Sequence, residues 1–284
     1  MIKILRYLFY GSRPYIAIHY IFPTAFGIFL GARIFNEPIY FLKSCLVLLS
    51  VFFSFQASVI LNDFNDTRAD TISKKRTPIN DGDISTREYQ KLAVICLITS
   101  FVLAVGISYR TFLIVILGNI LHFSYSSKPF RLKRFYPLSI FLLALGALLA
   151  AIAGYSLYEP SRPFLSFPLR ASIFVVVPLF LALNFRDLAD YEGDLKTDTT
   201  TLFTLIGLKN GRIVNAVMVL LSYISLPIIL RYPLLFAACI PLGVASSYVC
   251  IQKDFRERRI FLLYFVLIGV LTVLFNLNPS IITT

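Results

Sequence analysis

Residues 40–70 read YFLKSCLVLLSVFFSFQASVILNDFNDTRAD. From Tyr40 to Asn62 the stretch carries a single charge, Lys43, and then Asp63, Asp66 and Asp70 follow in quick succession. An apolar run of this length matches the roughly 20 residues needed to cross about 30 Å of hydrocarbon. Lipid offers the backbone no hydrogen-bond partners, so the run is predicted as a helix rather than an open strand. Its acidic end marks where the helix meets water.

Moving outward, comparable apolar runs occupy 14–33, 90–108, 111–126, 136–158, 170–187, 212–231, 233–251 and 260–278. The sequence therefore predicts an all-α polytopic membrane bundle of about nine transmembrane helices, of which 111–126 is the shortest. Composition agrees: 57% of the 284 residues are hydrophobic and 15% are charged, where soluble domains carry about 25% charged residues. No polar stretch exceeds about 30 residues, so residues 1–284 read as one membrane domain. Its two halves, roughly 1–135 and 136–284, each hold one acidic motif. Residues 1–11 are mildly basic and lack an Ala-x-Ala cleavage pattern, so no removable signal peptide is expected.

Charge tests the topology. Threading nine crossings puts segments 1–13, 63–91, 127–135, 186–212 and 252–259 on one side, and these hold 21 of the 27 Lys and Arg. By the positive-inside rule, that side is cytoplasmic, and with it the N-terminus and the acidic motifs of an integral, multi-pass protein. The net charge of +12 is thus explained by topology and anionic headgroups, and no nucleic-acid partner is implied. Cys45, Cys96, Cys239 and Cys250 all fall in spans without CxxC spacing and read as apolar filler. His19 and His122 are solitary and read as hydrogen-bonded packing residues.

Eleven of the fifteen Asp and Glu lie in two short segments, 63–88 and 187–198. Both segments place Asp at i, i+3 and i+7: Asp63, Asp66 and Asp70, then Asp187, Asp190 and Asp194. On a helix this spacing stacks three carboxylates on one face. Like charges so placed repel, and something cationic must offset them. Hard oxygen ligands suit Mg²⁺, which commonly takes one or two carboxylates together with substrate phosphates and water. Basic residues lie on the same membrane face: Arg13 at the start of the first span, Lys74, Lys75 and Arg76 after the first triad, and Lys128, Arg131, Lys133 and Arg134 after the fourth span. The competing class is a cation transporter or channel using the same carboxylates. Such a protein would more typically hold isolated carboxylates near the membrane midplane in broken helices, whereas both triads begin at span ends.

At these residues the sequence resembles the UbiA superfamily of intramembrane prenyltransferases. Asn62-Asp63-x-x-Asp66-x-x-x-Asp70 matches the first family signature, and Asp187-x-x-Asp190-x-x-x-Asp194, within Tyr191-Glu192-Gly193-Asp194, matches the second. Arg13-Pro14, Pro78, Gly82-Asp83-Ile84-Ser85, Tyr125-Ser126-x-Lys128-Pro129 and Arg131-Leu132-Lys133 agree as well. The resemblance runs from about residue 13 to 212. Departures are Arg186, where many members have Lys, Thr77 before Pro78 with Arg76 one place earlier, and Thr199-Thr200-Thr201-Leu202 in place of Arg-Thr-Leu.

The resemblance implies a central lipid-accessible chamber and a Mg²⁺-dependent transfer of a polyprenyl group. The donor is a prenyl diphosphate and the acceptor a hydrophobic compound, an aromatic or quinone-precursor ring. It implies metal binding by Asn62, Asp63, Asp66, Asp70, Asp187, Asp190 and Asp194. Diphosphate binding falls to Arg13, Arg76, Lys128, Arg131 and Arg186, and catalytic roles to Asp66, Asp190 and Tyr125.

Overall fold

The computed structural model describes residues 16–73, 77–278 and 281, and every regular element among them is helical. In chain order these are α1 (Ile18–Ile34), α2 (Phe41–Ile72), α3 (Thr86–Val105), α4 (Tyr109–Ser126), α5 (Leu138–Tyr155), α6 (Leu169–Ala182), α7 (Asp187–Lys196), α8 (Leu202–Ile206), α9 (Leu208–Ile229), α10 (Phe236–Ile251) and α11 (Glu257–Leu277). A 3₁₀ turn, Leu183–Arg186, joins α6 directly to α7. Among the described residues, seven segments are long and apolar enough to cross a bilayer: α2, α3, α5, Leu169–Lys196, α9 with Leu230, Pro233–Ile251 and α11. The sequence reading counts two more as spans. Of these, α1 has 17 residues, and α4 carries Arg110, Asn119 and His122.

The helix α2 has 32 residues, about 48 Å at 1.5 Å per residue. The hydrocarbon slab is about 30 Å thick, so the last turns of α2, which carry the first Asp motif, extend past it. Large apolar side chains such as Phe41, Leu42, Val94, Ile98 and Val102 remain exposed. In a bilayer these are lipid-facing surface. The protein is an integral membrane protein.

The chain divides into two compact units. The first comprises residues through Lys133 together with Leu145–Phe167, and the second comprises Arg134–Ala144 and the chain from Pro168 onward. Within the first unit, α2 packs on α1, α3 and α4. Lipid tails are as apolar as leucine, so close packing and polar contacts must hold such helices together. Ser50 Oγ donates to Ser100 O and Ser100 Oγ donates to Ser50 O, each at 2.8 Å, a reciprocal buried pair between α2 and α3. The start of α3 is fixed by a capping box: Ser85 Oγ accepts from Glu88 N, and the Glu88 carboxylate accepts from Ser85 N.

α1 and α5 approach even more closely. A Cβ on Gly27 would stand 1.9 Å from the Ala151 carbonyl oxygen, and one on Gly154 would stand 2.1 Å from that of Thr24. Only glycine permits these backbones to touch. In the second unit, α9 packs on α6 and α10. Ser246 Oγ donates to Tyr223 OH at 3.0 Å and Ser247 Oγ to Ala216 O at 2.7 Å.

Gly154→Val is expected to lower the midpoint of thermal unfolding in detergent by the equivalent of about 2 kcal/mol or more, the scale of overpacking that side chains cannot absorb. Gly269, whose Cβ would meet nothing within 4 Å, provides the control. Equal midpoints for Gly154→Val and Gly269→Val would show that the close approach of α1 and α5 is not needed.

Candidate active site

The first acidic motif occupies the last three turns of α2. Asp63 and Asp70 are buried, at 3% and 4% exposure, and Asp66 lies between them. A helical stripe of three carboxylates out of water is unfavourable without partners, and the chain supplies them from α3 and from the loop after α4. Tyr89 OH, from the first turn of α3, donates to Asp63 Oδ2 at 3.0 Å. Arg131 Nη2 donates to Asp66 Oδ1 at 3.2 Å, and Lys133 Nζ forms an ion pair with Asp66 Oδ2. Lys133 Nζ also donates to Asn62 Oδ1 at 3.2 Å, and that oxygen accepts from Ser126 Oγ at 3.1 Å. One residue on, Asn65 Nδ2 donates to Ser127 Oγ at 3.1 Å.

Burial pushes the Lys133 ammonium below its usual range, and the adjoining Asp66 carboxylate opposes that shift. Arg131 sits at φ +42°, a left-handed conformation that costs an L residue about 1–2 kcal/mol. Its backbone N–H donates to Ser127 O at 2.8 Å, and its guanidinium donates to Asp66.

Beneath this cluster the first unit contains a small, partly open pocket, lined among others by Tyr20, Ser54, Phe55, Ile114, His122 and Gly146. His122 lies one helical turn, about 6 Å, membrane-ward of Ser126. Tyr20 meets it edge to face, with ring centroids 5.2 Å apart. Gly146 keeps the wall open, since a Cβ there would stand 3.1 Å from the Tyr20 ring and 3.6 Å from that of His122. His122 and His19 are both buried.

The second motif forms α7. Its apolar side chains Leu188 and Tyr191 belong to a cluster with Leu202, Phe203 and Tyr136, which fixes the helix rotation and leaves Asp187, Asp190 and Asp194 on a different face, half-buried. Arg134 Nη2 donates to the carbonyls of Thr197 (3.1 Å) and Asp198 (3.4 Å), closing the C-terminal end of α7. The Tyr136 hydroxyl is raised above its usual pKa, first by burial and then by the Asp187 charge.

Of the residues singled out in the sequence, the structure brings Asn62, Asp66 and Arg131 into one network. Tyr125 is half-buried in the last turn of α4, Lys128 is exposed in the loop beyond it, and Arg186 closes the 3₁₀ turn before Asp187. Arg13 and Arg76 lie outside the described residues. Tyr89, Ser126 and Asn65 carry no signal of such a role in the sequence. Tyr89 lies in the first turn of α3 and Ser126 is the last residue of α4, and their contacts with α2 require tertiary structure. Among the described residues, no three His, Cys, Asp or Glu side chains are close enough to form a metal centre by themselves.

Residues 20–268 match the model of the UbiA prenyltransferase family. The chain belongs to that family. Three relatives locate it further. It is 27% identical over 175 residues to the homogentisate solanesyltransferase of Arabidopsis thaliana, covering 58% of this chain and 44% of that one. It is 29% identical over 237 residues to a 4-hydroxybenzoate octaprenyltransferase of Aliivibrio fischeri, covering 80% and 79%. The solved structure of a UbiA homologue from Archaeoglobus fulgidus, bound to GPP and Mg²⁺, superposes with a TM-score of 0.69 at 20% identity, covering 99% and 100% of the two chains. The chain spans about half the length of the plant relatives it matches. The UbiA fold is thus the architecture that carries both Asp motifs here.

Asp66 and Lys133 have side chains only 12% and 10% exposed, so removing either leaves a poorly solvated charge. Lys133→Met and Asp66→Asn are each expected to destabilise the purified protein by about 3 kcal/mol. The double variant should lose clearly less than the sum, as read from thermal unfolding in detergent. Strict additivity would mean that the pair contributes nothing to the fold.

Proposed function

We propose that this chain is a Mg²⁺-dependent prenyltransferase, which moves a polyprenyl group from a prenyl diphosphate to an aromatic or quinone-precursor acceptor. The observation that carries the reading is the pair of Asp triads at matching spacing, one ending α2 and one forming α7, in a chain of the UbiA prenyltransferase family. The names of the relatives support the acceptor class: homogentisate, 4-hydroxybenzoate and 2-acylphloroglucinol are all phenols. Digeranylgeranylglyceryl phosphate synthase of Saccharolobus solfataricus, 26% identical, is the relative that departs from it.

The donor set suits Mg²⁺. Carboxylates and one amide oxygen are hard ligands, and Mg²⁺ commonly uses one or two protein carboxylates and completes its shell with substrate phosphates and water. Asn62, Asp63, Asp66 and Asp70 would hold the ion at one motif and Asp187, Asp190 and Asp194 at the other. The bound metal would stabilise negative charge on the departing diphosphate.

The residues of the chain supply the rest. Arg131 and Lys133, which pair with Asp66 in this structure, are cations that would also pair with phosphate oxygens of the donor. Lys128 and Arg186, with Arg13 and Arg76, complete the diphosphate-binding set. Tyr125, in the last turn of α4, would stabilise positive charge or accept the proton, roles it would share with Asp66 and Asp190. An allylic cation reacts with water, so a chamber walled by helices and open to lipid suits the step. The excess of Lys and Arg beside both motifs supports a cytoplasmic placement for them and for the N-terminus.

Purified protein with a radiolabelled prenyl diphosphate and a panel of phenols is expected to release pyrophosphate only when Mg²⁺ is present. Asp66→Asn and Asp190→Asn should each lower the rate by about 100-fold or more. Full activity in either variant, with folding intact, would remove the Asp motifs from the chemistry. Cation flux into vesicles without pyrophosphate release would point to transport instead.

A further inference from the structure

The 28-residue segment Leu169–Lys196 is interrupted once, by the 3₁₀ turn Leu183–Arg186. Proline does not explain the break: Pro178 lies five residues before it, and a proline ring crowds the carbonyl four residues upstream of itself, not downstream. The turn instead coincides with Asn184. That side chain is 1% exposed, and its Nδ2 donates to the carbonyls of Phe180 and Leu181, both at 3.3 Å. In a regular α-helix those two carbonyls would take the backbone N–H groups of residues 184 and 185.

Residues three apart eclipse one another in a 3₁₀ turn, whereas in an α-helix they are offset. The break therefore brings Asn184 into line with Asp187, and the helical spacing continues the line to Asp190 and Asp194. The second motif thus has four polar side chains on one stripe rather than three. Asn184 Oδ1 has no hydrogen-bond partner among the described residues. Reversing the amide would set its oxygen against two carbonyl oxygens, so the network fixes which end is open. A fully buried amide oxygen without a donor is rare in native proteins. By contrast, the amide oxygen of Asn62, in the first motif, accepts from both Ser126 and Lys133.

We infer that Asn184 Oδ1 is a further oxygen ligand of the divalent cation at the second motif, binding beside Asp187. The inference rests on the reading of that motif as a cation site. Its nitrogen is held by the preceding helical turn, which fixes the amide and leaves the oxygen as its open end before any ion arrives. A neutral amide also adds a donor without adding a fourth negative charge to a crowded face.

The test is Mn²⁺ binding to the purified full-length protein in the presence of inorganic pyrophosphate, followed by electron paramagnetic resonance, with no turnover involved. Asn184→Ala is expected to weaken Mn²⁺ binding by about tenfold, the scale of losing one group that supports a metal. Asn184→Asp keeps an oxygen at the same place and should restore binding to near the wild-type level. Wild-type binding in Asn184→Ala, or Asn184→Asp as weak as Asn184→Ala, would overturn the inference and leave Asn184 a structural residue. If Asn184→Ala does not fold, Asn184→Ser reads the same loss. Asp190→Asn separates the two levels: if it also leaves Mn²⁺ binding unchanged, the cation reading of the motif fails. If it weakens binding while Asn184→Ala does not, only the role of Asn184 falls.

Discussion

Three carboxylates on one stripe at the end of a membrane helix repel one another and resist burial, and no helix propensity compensates for that. Around the first motif, the surrounding chain is arranged to meet this constraint. The loop after α4 folds back so that Arg131 and Lys133 reach the two oxygens of Asp66, and it does so although Arg131 must adopt a positive φ. Ser126 and Lys133 converge on the amide oxygen of Asn62, while Tyr89 brings α3 to Asp63. The positions of α3 and α4 beside α2 are thus tied to charge as well as to packing.

Charge cannot organise the parts of the bundle that lie within lipid. There the chain relies on close approach: Gly27 and Gly154 let two backbones touch, and Ser50 and Ser100 exchange hydroxyl bonds. Each of these contacts replaces a hydrophobic driving force that lipid removes. The same use of small residues keeps the cavity below Asn62 open, because Gly146 faces the rings of Tyr20 and His122 where any side chain would intrude. Tight packing on one side of the first unit therefore coexists with a deliberate gap on another.

This division explains what was legible in the sequence. Apolar runs report helices directly, and the Asp spacing reports a shared face, because both depend only on the helical repeat. The partners of those carboxylates are not periodic. Arg131 and Lys133 stand out as cations near the motif, but nothing in their spacing says that both choose Asp66. Tyr89 looks like an ordinary aromatic residue one turn into α3. The open amide oxygen before Asp187 is equally hidden, since Asn184 resembles any polar residue at a span end until its nitrogen is seen to engage the turn before it. The number of spans is also weakly encoded where a segment is short or polar, as α1 and α4 are.

The loop that follows α4 carries a second lesson about economy. Lys133 belongs to the first compact unit and Arg134 to the second. Lys133 neutralises Asp66, while Arg134 binds the carbonyls that end α7. Two adjacent cations thereby support the helices that bear the two Asp motifs, each by a different chemistry. An ion pair holds a carboxylate until a stronger cation competes for it, whereas a guanidinium on backbone carbonyls fixes a helix end whatever the motif binds. The first support is exchangeable and the second is not. Substitutions at position 133 should therefore be felt in how ligands bind as well as in stability, and substitutions at position 134 in whether α7 keeps its shape.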